Sequence, residues 1–124
     1  MRFRPRQRLR TGAEFDDVFK RGARLDGRLF LLVAAPSGRG FDRLGLAVSR
    51  RIGGAVERNR ARRLLRESFR RLPRGGRPAL DLVVVARSPL ASSGQAEVDR
   101  ELRERLRSIQ RRTVGAGEAA PSPR

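Results

Sequence analysis

The chain has 124 residues, 30 of them Lys or Arg against 13 Asp or Glu, for a formal charge of +17 and a pI near 12. That length fits one domain with a modest core and leaves no room for two, and the charge points to a polyanionic partner, nucleic acid ahead of an anionic membrane. With no Cys and no His, the chain has no disulfide, thiolate nucleophile or Cys-based zinc site and lacks the commonest general base, which argues against an autonomous hydrolase.

Residues 1–10, MRFRPRQRLR, are basic and Pro-interrupted; they read as an arm that becomes ordered, if at all, on a polyanion. They lack the apolar core of a secretory signal, and no stretch approaches the ~18 apolar residues of a membrane span, so a cytoplasmic protein without membrane attachment is expected. Thr11 and Glu14 have the spacing of a capping box. Phe15, Val18 and Phe19 then form the apolar side of a short helix, which Gly22 is expected to stop in a left-handed cap. Asp16 and Asp17 diverge by about 100° on that helix and read as a solvated pair, not a metal site. Asp26 and Gly27 give a type I′ turn signal between two extended runs, the second of which, Leu29 to Ala35, is apolar enough for burial on both faces. Pro36 ends it, residues 36–42 (PSGRGFD) read as a mobile loop, and Leu44, Leu46 and Val48 alternate as a third strand.

Ser49 to Leu72, SRRIGGAVERNRARRLLRESFRRL, reads as one long helix entered through a tight turn at Gly53 and Gly54. At about 100° per residue, Ala61, Leu64, Leu65, Ser68, Phe69 and Leu72 share one arc. Asn59, Arg62, Arg63, Arg66 and Arg70 fall opposite. A solvated helix face interleaves both signs, whereas here Glu57 and Glu67 stand against nine arginines from Arg50 to Arg71. The arginine fork matches two phosphate oxygens at once, so this face suits a phosphate backbone; Arg58, at the edge of the apolar arc, also suits packing through its stem. Pro73, Gly75, Gly76 and Pro78 close the helix, and Leu80 to Ala86, LDLVVVA, reads as a central strand. Ser92 with Gln95 suits the cap of a last helix with stripe Val98, Leu102, Leu106 and Ile109. Its other side mixes Asp99, Glu101 and Glu104 with arginines and reads as solvated.

The order α-β-β-β-α-β-α predicts an α+β fold, a two-layer α/β sandwich with helices covering one sheet. Residues 11–112 are expected to form the folded nucleic-acid-binding domain between the 1–10 arm and a disordered 113–124 tail. There is no internal repeat, and the GRG, IGG and RGG glycines lack the spacing of a phosphate-binding loop.

The stretches RLRTGAEFDDVFKRG, LFLLVA, RLGLAVSRRIGGAVERNRARRLLRESFR and LDLVVVAR, from about Arg8 to Arg112, together resemble the protein component of bacterial ribonuclease P, with Arg58, Asn59 and Arg60 as the family's Arg-Asn-Arg signature. The resemblance implies a ribonucleoprotein that removes 5′ leaders from precursor tRNA. Its RNA subunit would hold the Mg²⁺ ions and catalyse, and the protein alone would be inactive. It implies that Arg50, Arg51, Arg58, Asn59, Arg60, Arg62, Arg63, Arg66 and Arg70 face the catalytic RNA, and that Phe15, Phe19 and Val33 wall a cleft for the single-stranded leader. It further implies a left-handed crossover between the third and fourth strands, against the usual right-handed rule, and no required protein partner. Val33 stands where some relatives carry an aromatic residue, Gly54 where many carry a longer polar one, and Arg50 and Arg51 where a Lys pair is common. The rival readings are a structural RNA-binding protein of the ribosomal type and a DNA-binding module; the latter lacks a helix-turn-helix and side chains to read base edges.

Overall fold

A computed structural model describes residues 7–75 and 77–115, so the start of the expected arm, most of the expected tail and Gly76 lie outside the described residues. The elements follow the expected order: α1 (Gly12–Arg21), β1 (Ala23–Asp26), β2 (Phe30–Pro36), β3 (Arg43–Ala47), α2 (Ala55–Arg70), β4 (Leu80–Ala86) and α3 (Gln95–Gly115). The capping box forms: Thr11 Oγ1 accepts from the Glu14 N–H, and the Glu14 carboxylate accepts from the amides of Thr11 and Arg10.

The sheet order is β1-β2-β4-β3, with β3 and β4 parallel and the other pairs antiparallel. α2 is therefore the crossover of a β-α-β unit. Alternation splits the sheet into two apolar faces. Leu25, Leu32, Ala34, Leu44, Leu82 and Val84 pack against the stripes of α2 and α3, while Val33, Ala35 and Val83 lie under Val18 of α1 together with Leu9. The two-layer sandwich is thus the sheet with α2 and α3, and α1 adds a partial cover to the opposite face. Each fully buried Leu, Val or Phe contributes about 1.5–3 kcal/mol, which makes β4, buried along nearly its whole length on both faces, the axis of the core.

Several local expectations yield to tertiary contacts. Gly22 ends α1 in an extended conformation, φ −89°, not a left-handed cap; a Cβ there would lie 2.7 Å from the Val18 carbonyl and 2.8 Å from Val33. Among the described residues positive φ occurs only at Gly38 and Gly53, so Asp26-Gly27 is not a type I′ turn. The β1–β2 connection is held from outside, by Glu101 of α3 accepting the amides of Leu29 and Phe30. Gly27 is small because that carboxylate fills the place of its Cβ. The segment from Ser49 is not one helix: Arg50–Ile52 is a 3-10 turn capped by Ser49, and Gly53, at φ 144°, turns the chain into α2. At α3 the cap is Gly94, whose N–H is taken by Glu97, while Ser92 belongs to a preceding 3-10 turn. The helix runs past residue 112 to Gly115. Residues 7–10 belong to the fold, since Gln7 and Leu9 are buried and Leu9 donates its N–H to Leu44 along β3.

Three buried aspartates tie these elements together. Asp81, 0% exposed, takes both ends of the Arg43 fork at 2.8 Å and Arg21 at 3.3 Å, joining β4 to β3 and α1. Asp42 ends the loop expected to be mobile and is 3% exposed. It accepts from Arg77, Arg74 and the Leu80 amide, pinning that loop to the α2–β4 connection. Asp99, expected on the solvated side of α3, instead accepts from Ser68, Gln95 and Arg71 between α2 and α3.

Burial pushes the Asp42 carboxyl up, but hydrogen bonds from Arg77 and the Leu80 amide, with the arginine charges, bring it below the ordinary range. Asp99 behaves alike through Ser68, Gln95 and Arg71. A carboxyl whose folded pKa lies below its unfolded value of about 3.9 contributes stability that is complete above that value and is lost as pH falls through the folded pKa. Urea midpoints are therefore expected to be flat down to about pH 5 and to fall below about pH 4. Asp42→Asn, which leaves the buried Arg77 uncompensated, should cost about 3–5 kcal/mol and shrink that acid-side loss; an unchanged midpoint would show that Asp42 is not a staple of the fold.

Candidate nucleic-acid interface

The geometry of α2 follows from its entry. Ser49 Oγ accepts the Arg51 N–H and Glu57 accepts the Gly54 N–H, which satisfies amides at the 3-10 turn and at the helix start. With Ala61, Leu64, Leu65, Ser68 and Phe69 buried, Asn59, Arg63, Arg66 and Arg70 are exposed and Arg62 is half-exposed; Arg50 and Arg51 are exposed on the preceding turn. Val56 stands in line with them at 77% exposure, a large apolar side chain left in solvent.

Two open cavities flank this face. One, about 340 Å³, runs along it from Asn59 to Arg70. The other, about 350 Å³, lies between α2 and the 7–10 segment, where Arg8, Arg10, Arg62 and Arg66 surround a floor of Leu9, Leu44 and Leu46. Burial, then repulsion from Arg8 and Arg62, lowers the pKa of Arg66. Among the described residues, no carboxylate lies within ion-pair reach of Arg62, Arg63 or Arg66, and Glu67 is taken up by Arg70 and Arg71. A cluster of guanidinium groups that repel one another lowers its energy when a polyanion sits on it.

The Arg-Asn-Arg residues divide. Asn59 faces outward, its Oδ1 accepting from Arg62 at 3.0 Å. Arg58 folds back toward the Gly54 carbonyl. Arg60 turns away from this face and donates to the carbonyls of Ala91 and Ser93, both at 2.7 Å, bracketing α2 to the turn before α3. Arg8 and Arg10, read from sequence as part of a loose arm, join the groove; the alternation Arg8-Leu9-Arg10, with Leu9 buried, is the local signal that could have placed them there.

The second candidate site lies on the α1 side of the sheet. Phe15 and Phe19 are half-buried, Phe15 over Gly45 and Phe19 under the Arg24 guanidinium at 5.3 Å. Val33 is 0% exposed beneath α1 and forms the floor of the helix packing instead of a wall. The apolar side chains left partly open there are Leu31 and Val85, cross-strand partners on the face of Val33. The two-residue period from Val33 already marks Leu31.

The ribonuclease P family profile matches residues 3–110. The chain belongs to the ribonuclease P protein family. It is 44% identical over 93 residues to the ribonuclease P protein component of Shouchella clausii, covering 74% of this chain and 76% of that one. It is 38% identical over 116 residues to that of Roseiflexus castenholzii, covering 94% and 93%. The fold is similar to the Staphylococcus aureus RNase P protein, with TM-score 0.72 and 28% identity over 83% of this chain and 94% of that one. For the Thermotoga maritima RNase P protein the TM-score is 0.63, with 31% identity over 82% and 93%.

Among the described residues of this ribonuclease P protein, no three acidic or other metal-ligating side chains come together, and no helix is long and apolar enough to cross a membrane. The buried carboxylates Asp42, Asp81 and Asp99 are held by arginines. The two kinds of arginine separate by experiment. Arg66→Gln should make log affinity against log salt shallower by about 0.7 for each single-strand phosphate that is no longer neutralised, while leaving thermal stability unchanged or raised. Arg60→Ala should lower stability by about 1–3 kcal/mol with the slope intact. The reverse pattern would exchange their roles.

Proposed function

We propose that this chain is the protein subunit of a ribonuclease P ribonucleoprotein that removes the 5′ leader of precursor tRNA by Mg²⁺-dependent phosphodiester hydrolysis, with the RNA subunit as catalyst. The observation that carries this is the arginine face of α2, left without carboxylate partners at Arg62, Arg63 and Arg66 in a member of this family. That face takes the phosphates of the catalytic RNA, the forks of Arg62, Arg63 and Arg66 each suited to two oxygens. The α1 side takes the leader: Phe15 and Phe19 offer ring faces on which unpaired bases stack without regard to sequence, and Leu31 and Val85 extend the apolar floor.

The protein contributes binding and placement. It has no His or Cys to move a proton near neutrality, and Mg²⁺ stays with the RNA. By neutralising phosphates near the scissile bond, the arginines lower the Mg²⁺ needed for cleavage.

Cleavage of precursor tRNA at low Mg²⁺ by the protein, by a bacterial ribonuclease P RNA and by both is expected to be efficient only for the mixture. Cleavage by purified protein alone would transfer the chemistry to it, and binding without stimulation would make it a structural RNA-binding protein. Val85→Ala and Leu31→Ala should weaken precursors with long leaders and spare leaderless tRNA; equal losses on both would return these residues to the core.

A further inference from the structure

The charge mixture on α3 resolves in three dimensions into something the sequence conceals. Its carboxylates turn inward or toward neighbours: Glu97 takes the Gly94 amide and Arg28, Asp99 packs between α3 and α2, and Glu101 holds the β1–β2 turn. Among the described residues, Glu104 reaches Arg105 alone, at 3.8 Å. Arg100, Arg103 and Arg107 remain exposed, with no ion pair or side-chain hydrogen bond among the described residues. At roughly 100° per residue these three lie within about 60° of arc, a single stripe. Arg103 and Arg107 border a cavity of about 170 Å³ floored by Leu106, Pro73 and Gly75, whose remaining wall, Arg77, is already held by Asp42.

We propose that the Arg100-Arg103-Arg107 stripe of α3 is a second phosphate-binding face, and that its occupant is the same catalytic RNA that lies on α2. This rests on the function proposed above. Continuity selects that RNA over the precursor tRNA leader. α3 packs beside α2 on one side of the sheet, opposite the α1 cleft, and Arg71, paired to both Glu67 and Asp99, links the arginine face of α2 to the start of the stripe. The buried carboxylates therefore staple the fold and, by their withdrawal from the surface, extend the basic layer across two helices. A stripe that repels itself and has guanidinium forks free is matched by the backbone of a structured RNA.

The test is the salt dependence of binding to ribonuclease P RNA, at fixed Mg²⁺, for the full chain and three variants. The triple variant R100Q/R103Q/R107Q should give a log affinity against log salt slope shallower by about 2, at roughly 0.7–0.9 per phosphate left unneutralised, with an unchanged thermal melt because all three side chains are exposed. Glu104→Gln, which removes the negative charge nearest the stripe, should strengthen binding at low salt. Affinity for leaderless or leader-bearing precursor tRNA alone should not change. An unaltered slope in the triple variant overturns the proposal, as does a weakening confined to precursor tRNA. R62Q/R66Q serves as the control on the α2 face: if that variant also leaves the slope unaltered, the α2 assignment fails and the α3 face falls with it; if only R62Q/R66Q flattens the slope, the α3 proposal alone is wrong.

Discussion

Carboxylates are the scarce component of this molecule. Thirteen Asp and Glu must serve 30 cations, and an arginine buried without a partner costs several kcal/mol. The fold places its few anions where buried or half-buried backbone and guanidinium groups require them: Asp81 under Arg43 and Arg21, Asp42 under Arg77 and the Leu80 amide, Asp99 between α2 and α3, Glu101 on the β1–β2 turn. The same placement leaves Arg62, Arg63 and Arg66 on the outer arc of α2 without a carboxylate partner among the described residues, while Arg70 keeps Glu67. Stability and polyanion affinity thus come from one distribution of charge, and each carboxylate held inside sharpens the positive field outside.

The consequence for function is a division of surfaces. Sheet alternation sends Leu82 and Val84 toward α2 and α3, and Val83 and Val85 toward α1, so a single strand supports both an arginine-faced layer and the surface where Phe15 and Phe19 stand half-buried. Because the two surfaces lie on opposite faces of the sheet, the proposed function has two RNA segments held at once, one against each face.

Periodic features are legible in the sequence: the two faces of α2, the stripe of α3, the Thr11-Glu14 box and the buried LDLVVVA strand all arise from local spacing. Features set by long-range partners are not. Arg60 has the same local setting as Arg63, yet its fork is drawn to carbonyls some thirty positions away. Gly27 reads as a left-handed turn residue until Glu101, 74 positions on, occupies the space of its side chain. The resemblance implies Val33 as a cleft wall, but neither it nor strand alternation says how far α1 covers that position, which is fully buried, and Arg8 and Arg10 enter the groove through docking of Leu9 beside Leu44.

The chain has no cysteine, so one introduced thiol reports from one position. The most direct measurement attaches a short photocrosslinker to Arg63→Cys or Val85→Cys in the complex with ribonuclease P RNA and precursor tRNA, and maps the RNA each one captures. Crosslinks from position 63 to the catalytic RNA and from position 85 to the 5′ leader are predicted. Capture of the leader from position 63, or of catalytic RNA from position 85, would contradict the division of surfaces.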